Sequence, residues 1–504
     1  MNEQKSQLKI GLLLNYINLL LSCLIPLFYT PVMLRILGQD EYGLYKLSGS
    51  ITSYLSLIAF GLGAAITRYL IKARIETGEE EERKVLGLFI QIFRVIALLT
   101  ILAGIGVTFL TPLFYSASLS SNNLIKMQIL IALLAINTAI NFLASPYISI
   151  VNAHERFLFL QSTAILGTCL GPILNLIALF LGYASLGLAV SSILATIVLR
   201  ILFVIYVQNT MHIRPIFQSM PKSYIKDILG FSLWIFISNI VGQLYEATDI
   251  ALIGAVPTLS TIGVAVYNIG MVFNGMISSI NAGLSSLLLP KANKMVFSEA
   301  SPIILTDTAI RIGRIQTIIL SLFIFGFIAF GRPFIYFYAG NNYADAYWIA
   351  ILCMIPNAIP LVQSFCLNIV IARNENKFRA LTYLCIAILN VIATWYALKL
   401  FGVIGAAIAT SIASFLGTGI AMNWFYKYRV KLQIGRFWIS IIKILPPVIL
   451  LCSIFLISYK FIDFYNIVNL ICGILIFTFA YIFLTWLLTM NNYEKDIIKN
   501  LFHK

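Results

Sequence analysis

The sequence predicts an all-α polytopic membrane protein of about fourteen transmembrane helices. They form two parallel six-helix repeats related by a pseudo-two-fold axis, with two helices appended. Three observations predict this. Of the 504 residues, 60% are hydrophobic and only 11% charged, against about 25% charged in a soluble domain. Apolar runs of bilayer length, about 20 residues, recur along the whole chain, without the alternation of membrane β-strands. Short sequence patterns also return at an offset of 218–221 residues.

The first hairpin, residues 11–71, organises the rest. Two apolar helices are expected there, joined by a turn at Gly38 to Glu41. Asn15, Asn18 and Ser22 share one face of the first helix; Ser48, Thr52 and Ser56 share one face of the second. A polar stripe on a spanning helix should avoid lipid tails and face protein or water. Pro26 and Pro31 interrupt the first helix, which such surroundings tolerate. The stretch is too long for a cleavable signal peptide and should remain as helix 1.

The expected spans, in order, are 12–36, 42–71, 85–110, 124–150, 157–181, 184–207, 227–256, 262–289, 309–330, 346–371, 378–401, 403–426, 436–458 and 467–489. Loop charge orients them. Of the 34 Lys and Arg, 25 fall at the ends of spans, in loops or in tails on the side of the termini and five on the other. Both termini and the basic loops are therefore expected in the cytoplasm. The remaining four, Lys46, Arg94, Arg200 and Lys443, lie within spans. The net charge of +15 is thus topological, and no nucleic-acid-binding module accompanies it. The acidic run Glu79 to Glu82 reads as a solvated surface.

Four matches support the repeat. Gly11 pairs with Gly230, and Tyr42-Gly43 with Ile262-Gly263. The link Ala153 to Phe157 pairs with Ala372 to Phe378, and Gly187 with Gly405. Six spans per half is an even number, so the halves share one orientation. Such parallel repeats are a transporter architecture, with substrate between the halves. Three regions follow: an amino-terminal lobe, 1–215; a second lobe, 216–430; and spans 13 and 14 with the tail, 431–504.

The seven cysteines all lie in expected helices, and the three histidines lie in loops or the tail. No metal site and no cofactor is expected. No phosphate-binding loop of the G-x-x-x-x-G-K-[ST] type occurs.

Candidate functional residues are the polar groups of spans 7 and 8 and the intramembrane charges. Asn239, Gln243 and Glu246 stand at i, i+4 and i+7 on span 7. Asn274, Ser278, Asn281 and Ser285 form a stripe on span 8. With the stripes of spans 1 and 2, they can line a hydrated cleft or simply bond helix to helix. Charges at membrane depth default to functional candidates. Lys46 and Arg94 lie deepest in the first lobe, while Arg200 and Lys443 lie close enough to the cytoplasmic end to snorkel. Glu246 and Asp249 are the acids within a span; each can pair with a cation or couple a proton or sodium ion.

Several segments together resemble the polysaccharide-flippase (Wzx-type) branch of the multidrug, oligosaccharidyl-lipid and polysaccharide exporter superfamily. They are PVMLRILGQDEYG with Pro31, Arg35, Gly38, Tyr42 and Gly43, and FGLGAAITRYL with Gly61, Gly63 and Arg68. Glu155-Arg156, Asp249 and Gly254 in DIALIG, and Gly402, Gly405 and Ala407 in FGVIGAA complete the set. The resemblance implies alternating access and no enzyme activity. It implies export of a polyprenyl-diphosphate-linked oligosaccharide from the cytoplasmic to the outer leaflet of a bacterial or archaeal cell membrane. It also implies cleft cations on the diphosphate, for which Lys46, Arg68 and Arg94 are the candidates. A monomer surrounded by membrane lipids is expected. The arginine-rich first helix of the lipid II flippase is not matched, since Arg35 is its only arginine. Two other classes stand beside this one: a cation-coupled multidrug exporter of the same fold, supported by Glu246 and Asp249, and a membrane glycan polymerase or ligase. The short outer loops, without a catalytic Arg or His region, argue against the last.

Overall fold

A computed structural model describes residues 2–218, 220–285, 288–373 and 375–502. No strand occurs among them. Among the described residues, twelve helical segments are long and apolar enough to cross a membrane. Two of these, Leu13–Thr77 and Phe378–Tyr428, run to 65 and 51 residues. They break at Gly38 and Gly402, both outside helical backbone angles. Each therefore has room for two crossings.

The chain divides into two compact units, Met1–Ala265 and Val266–Lys504. The first holds α1 (Asn2–Ser53), α2 (Leu62–Thr77), α3 (Glu79–Tyr115), α4 (Ser121–Ala153), α5 (Phe157–Phe180), α6 (Ala184–Ile205), α7 (Lys222–Glu246) and α8 (Thr248–Ala255). Its core gathers Leu62, Ile66, Tyr69 and Leu70 of α2 with Phe89 and Phe93 of α3 and Ile228 of α7.

Within this unit the expected span 42–71 is not continuous. The helix tightens to a 3-10 turn over Tyr54–Ala59 and then breaks at Phe60 and Gly61, both at positive φ. The cause is packing. A Cβ on Gly61 would lie 2.7 Å from the Ser232 carbonyl and 2.8 Å from the Phe236 nitrogen of α7. Glycine supplies both the left-handed backbone and the close approach. The expected span 227–256 is likewise two helices, divided at Ala247. The acidic run is not wholly solvated either. Glu80 and Glu81 meet Lys84 at 3.1 and 3.4 Å. Glu82 is buried, 3.7 Å from Arg74 and 3.2 Å from His154. A helix turns one residue in four of a charged run inward. The buried carboxylate takes the Arg74 guanidinium as its cation and the His154 ring as a hydrogen-bond partner.

α9 (Ser260–Ser285) carries the chain into the second unit. There follow α10 (Leu288–Phe297), α11 (Pro302–Tyr338), α12 (Ala346–Val362), α13 (Ser364–Ala372), α14 (Asn376–Ser414), α15 (Met422–Tyr428), α16 (Ile434–Ile442), α17 (Leu445–Ser458), α18 (Ile467–Leu484) and α19 (Asn492–Phe502). α12 and α13 replace the single expected span 346–371. They divide at Gln363, after Pro356 and Pro360, since proline removes a helical hydrogen bond and crowds the preceding turn. The appended helices α17 and α18 pack on α11 through Ile318, Phe330, Val448, Leu451 and Phe477. At the other end of this packing, Glu494 of α19 holds Arg314 by two hydrogen bonds of 2.6 and 3.1 Å.

One feature of the sequence repeat is visible in the packing. Gly187 approaches Ala178 of the preceding helix, where a Cβ would lie 3.0 Å from the alanine methyl. Gly405 approaches the Ala397 carbonyl so closely that a Cβ would collide. Both pairs close a tight helical hairpin at matching places in the repeats.

Candidate substrate path

α7 lies along the second helix of the first hairpin. Tyr224 meets Tyr69 edge to face at 5.5 Å, and Phe236 stacks on Phe60 at 4.4 Å. Farther along, the contact becomes polar. Ser50 donates to the Ala247 carbonyl at 2.6 Å. Ser53 donates to the Gln243 side-chain oxygen at 2.8 Å, and the Gln243 nitrogen donates to Ser56 at 3.3 Å. The Tyr54 and Thr248 hydroxyls are 2.5 Å apart. Beyond these, the turn after Gly38 is strapped down. Asp40 accepts from Thr261 and, at 2.9 Å, from the Asn123 amide. Glu41 accepts from Lys126 and Ser185. A side chain on Gly43 would run into the Thr261 carbonyl.

Four hydrogen bonds thus form a polar seam, centred where α7 gives way to α8. Interhelical hydrogen bonds in membranes average about 0.6 kcal/mol each. Together they favour the closed seam by about 2–3 kcal/mol, a factor of roughly a hundred.

The stripe expected on this helix is only partly the seam. Ser48 and Thr52 are buried and bond back to the carbonyls of Leu44 and Ser48, at 2.8 and 2.7 Å; Ser56 alone of that set crosses to α7. Ser50, Ser53 and Tyr54 carry the remainder, a face rotated by about half a turn. Hydroxyl spacing could not distinguish back-bonding from cross-bonding. On helix 1, Asn18 accepts from Thr168 of α5 at 2.8 Å.

The cations are dispersed. Lys46 is half-buried, 5.5 Å from the centre of the Tyr42 ring. It stands one turn before Ser50 and two before Ser53, in line with the seam. Arg68 is exposed and lies over Phe231 of α7 at 4.3 Å. Arg94 is exposed and lies over Phe217 at 5.4 Å. Its neighbours on that face of α3 are Val95, Leu98 and Leu102, all exposed. Arg200 is bound instead, donating twice to the Asn141 oxygen at 3.0 and 2.7 Å. Lys443 is exposed at the break between α16 and α17.

Asn239 is exposed on α7, and Asp249 is buried in the first turn of α8. The side chain of Glu246 lies outside the described residues. A cavity of about 510 Å³ opens beside the Phe60 break, lined by Phe60, Lys226, Leu229, Gly230 and Leu233. Lys226, one of the basic residues on the side of the termini, lines this cavity beside the break at Phe60.

In the second unit, the polar stripe of α9 is paired throughout. Asn357 of α12 donates to Asn274 and Ser278, both at 2.9 Å. Asn281 donates to Ser285 at 3.2 Å. The Gln316 amide of α11 contacts the Asn281 oxygen at 2.9 Å and Ser364 of α13 at 2.7 Å. Asn281 is only 4% exposed. These side chains join α9 to α11, α12 and α13.

The model of a family described as polysaccharide biosynthesis protein matches residues 11–292. No curated protein sequence matches the chain. Among solved structures, the lipid II flippase MurJ in an inward closed conformation superposes with a TM-score of 0.73 at 18% identity, covering 95% of this chain and 99% of MurJ. A multidrug resistance MATE family transporter of the MOP superfamily, in an inward-facing conformation, follows at 0.63 and 14% identity, with 84% and 98% covered. The Vibrio cholerae MATE transporter VcmN in its bent form gives 0.54 at 16% identity, over 88% and 99% of the two chains. The fold is the one these transporters share, and the chain is a multi-pass membrane protein.

Proposed function

Because the chain belongs to the polysaccharide biosynthesis protein family, we propose that it is a flippase for cell-surface polysaccharide assembly. Its cargo is a polyprenyl-diphosphate-linked oligosaccharide, carried from the cytoplasmic to the outer leaflet by alternating access. The family match carries this reading, since it spans the whole seam. The chain crosses the membrane fourteen times, with both termini in the cytoplasm. The six-helix repeats 1–215 and 216–430 are the parts that move, and 431–504 rides with the second.

In this reading the seam between the first hairpin and α7 parts when the cargo is released outside. A diphosphate needs cations in a low-dielectric path, because an unpaired buried charge is very costly. Lys46 meets it at the seam. Arg68 and Arg94 meet it nearer the cytoplasm, where a guanidinium can hold phosphate oxygens by two bonds. Asn239 and Gln243 offer polar groups along α7. Asn274, Ser278 and Asn281 act by setting the shape of their lobe. Complementation of a flippase-deficient strain tests the proposal: restored surface glycan supports it, and its absence despite normal protein abundance counts against it.

A second reading has a specific observation behind it. Asp249 is buried where α7 breaks into α8, as an ion-coupling carboxylate of a drug exporter would be, with Glu246 one turn before. Drug resistance that follows the protein, without glycan export, would favour that reading.

A further inference from the structure

Far from the seam, a pocket of about 250 Å³ opens where α11 ends, with Arg332, Tyr336, Asn341, Asp345, Trp348 and Tyr465 around it. Four segments of the second unit build it: the last turns of α11, the connection 339–345, the first turn of α12, and the loop before α18. Drug-sized ligands occupy about 300–1,000 Å³, so this space suits a single ring.

Its chemistry is mixed and unused. The Arg332 guanidinium lies over the rings of Tyr347 and Trp348, at 5.1 and 5.2 Å. Beyond these ring contacts, the side chains of Arg332, Asn341 and Asp345 carry no hydrogen bond or ion pair among the described residues. Arg332 and Asp345 point into one pocket without neutralising each other. The pocket therefore offers a cation, an amide and a carboxylate beside the exposed rings of Tyr336, Trp348 and Tyr465. An apolar tail would leave those polar groups unpaired. A phosphate would be repelled by Asp345.

The walls are fixed. Gly340, at φ +99°, turns the chain into the 3-10 turn Asn341–Tyr343. Tyr347 donates to the Ile328 carbonyl at 2.9 Å. Asp463 accepts from the Tyr465 backbone nitrogen at 2.9 Å, and its own carbonyl accepts from Asn469 at 2.9 Å. Tyr465 in turn lies 5.4 Å from Tyr336, edge to face.

We propose that this pocket binds one pyranose ring of a glycan. Trp348 and the tyrosines take the apolar ring face, Arg332 and Asn341 donate to hydroxyl oxygens, and Asp345 accepts from hydroxyl groups. The assignment of the glycan to the delivered cargo rests on the flippase reading, which puts this end of α11 at the outer surface. Binding itself does not require transport.

The test uses the full chain in nanodiscs and a panel of methyl pyranosides: a hexose, an N-acetylhexosamine, a 6-deoxyhexose and a uronic acid. Saturation-transfer NMR reads binding. At least one glycoside should bind. Arg332→Ala and Asp345→Asn should each weaken it tenfold or more. Trp348→Ala should abolish it, and Trp348→Phe should restore most of it. Inorganic phosphate should not compete. Binding of no glycoside, or displacement by phosphate, would overturn the proposal and leave an interfacial aromatic cluster or an anion site. The outcome is separable from the flippase reading. Glycan export with no pyranoside binding would sink the pocket alone, and pyranoside binding without export would sink the flippase alone.

Discussion

Gln243 of α7 is held from both ends by the first hairpin: its side-chain oxygen accepts from Ser53 at 2.8 Å and its nitrogen donates to Ser56 at 3.3 Å. One amide thus ties together two turns of the facing helix. Removing it as Gln243→Ala should cost about 1 kcal/mol of seam stability, or a roughly fivefold shift toward the parted state. Maleimide labelling of Ala247→Cys, a buried seam position, in a background lacking the seven native cysteines, should quicken by that factor. Unchanged labelling would mean that the seam does not open.

Locking the seam makes the complementary experiment. Ser50 reaches the Ala247 carbonyl at 2.6 Å. Cysteines at both positions should form a disulfide under oxidant, stop glycan export, and release it on reduction. Full export by the cross-linked protein would exclude any parting of these helices during transport.

The three proposed cargo cations should not be equivalent. Lys46 is in line with the seam, whereas Arg94 shares its face with exposed leucines. Lys46→Ala should therefore cut export at least tenfold with protein abundance near normal. Arg94→Ala should cut it less, with partial rescue by Arg94→Lys. Lys443→Ala should be nearly silent. Full export by the Lys46→Ala, Arg94→Ala double variant would remove the cations from the mechanism.

The polytopic character and the repeat were legible because they rest on composition and on recurring short patterns. The hairpin glycines Gly187 and Gly405 could be paired from spacing alone. The helix breaks at Phe60-Gly61 and Ala247 were not, because each answers to a partner helix distant in sequence. The α9 stripe was visible, but its direction was not. Spacing does not name the partner: Asn274 and Ser278 are half-buried and bond to Asn357 of α12.

Arg314 is the most heavily bonded cation among the described residues of the second unit. It donates to Glu494 and to the carbonyls of Ser440 and Thr489, at 3.0 and 2.7 Å for the carbonyls. Glu494 also accepts from the Asn491 nitrogen at 2.9 Å, so it starts α19 as well. Their side chains are 11% and 2% exposed. Glu494→Ala would strand a buried arginine, at a cost of about 3–5 kcal/mol. Its thermal unfolding in detergent should shift down by several degrees, and Glu494→Gln less.

The central claim is tested most directly by reconstitution. The purified chain is placed in liposomes whose inner leaflet carries a fluorescent polyprenyl-diphosphate oligosaccharide, and its arrival outside is followed with a membrane-impermeant quencher. A flippase predicts quenching above the protein-free rate, abolished by the oxidised Ser50→Cys, Ala247→Cys pair and recovered on reduction. Quenching no faster than in protein-free liposomes, from protein that is folded and inserted, would contradict the account.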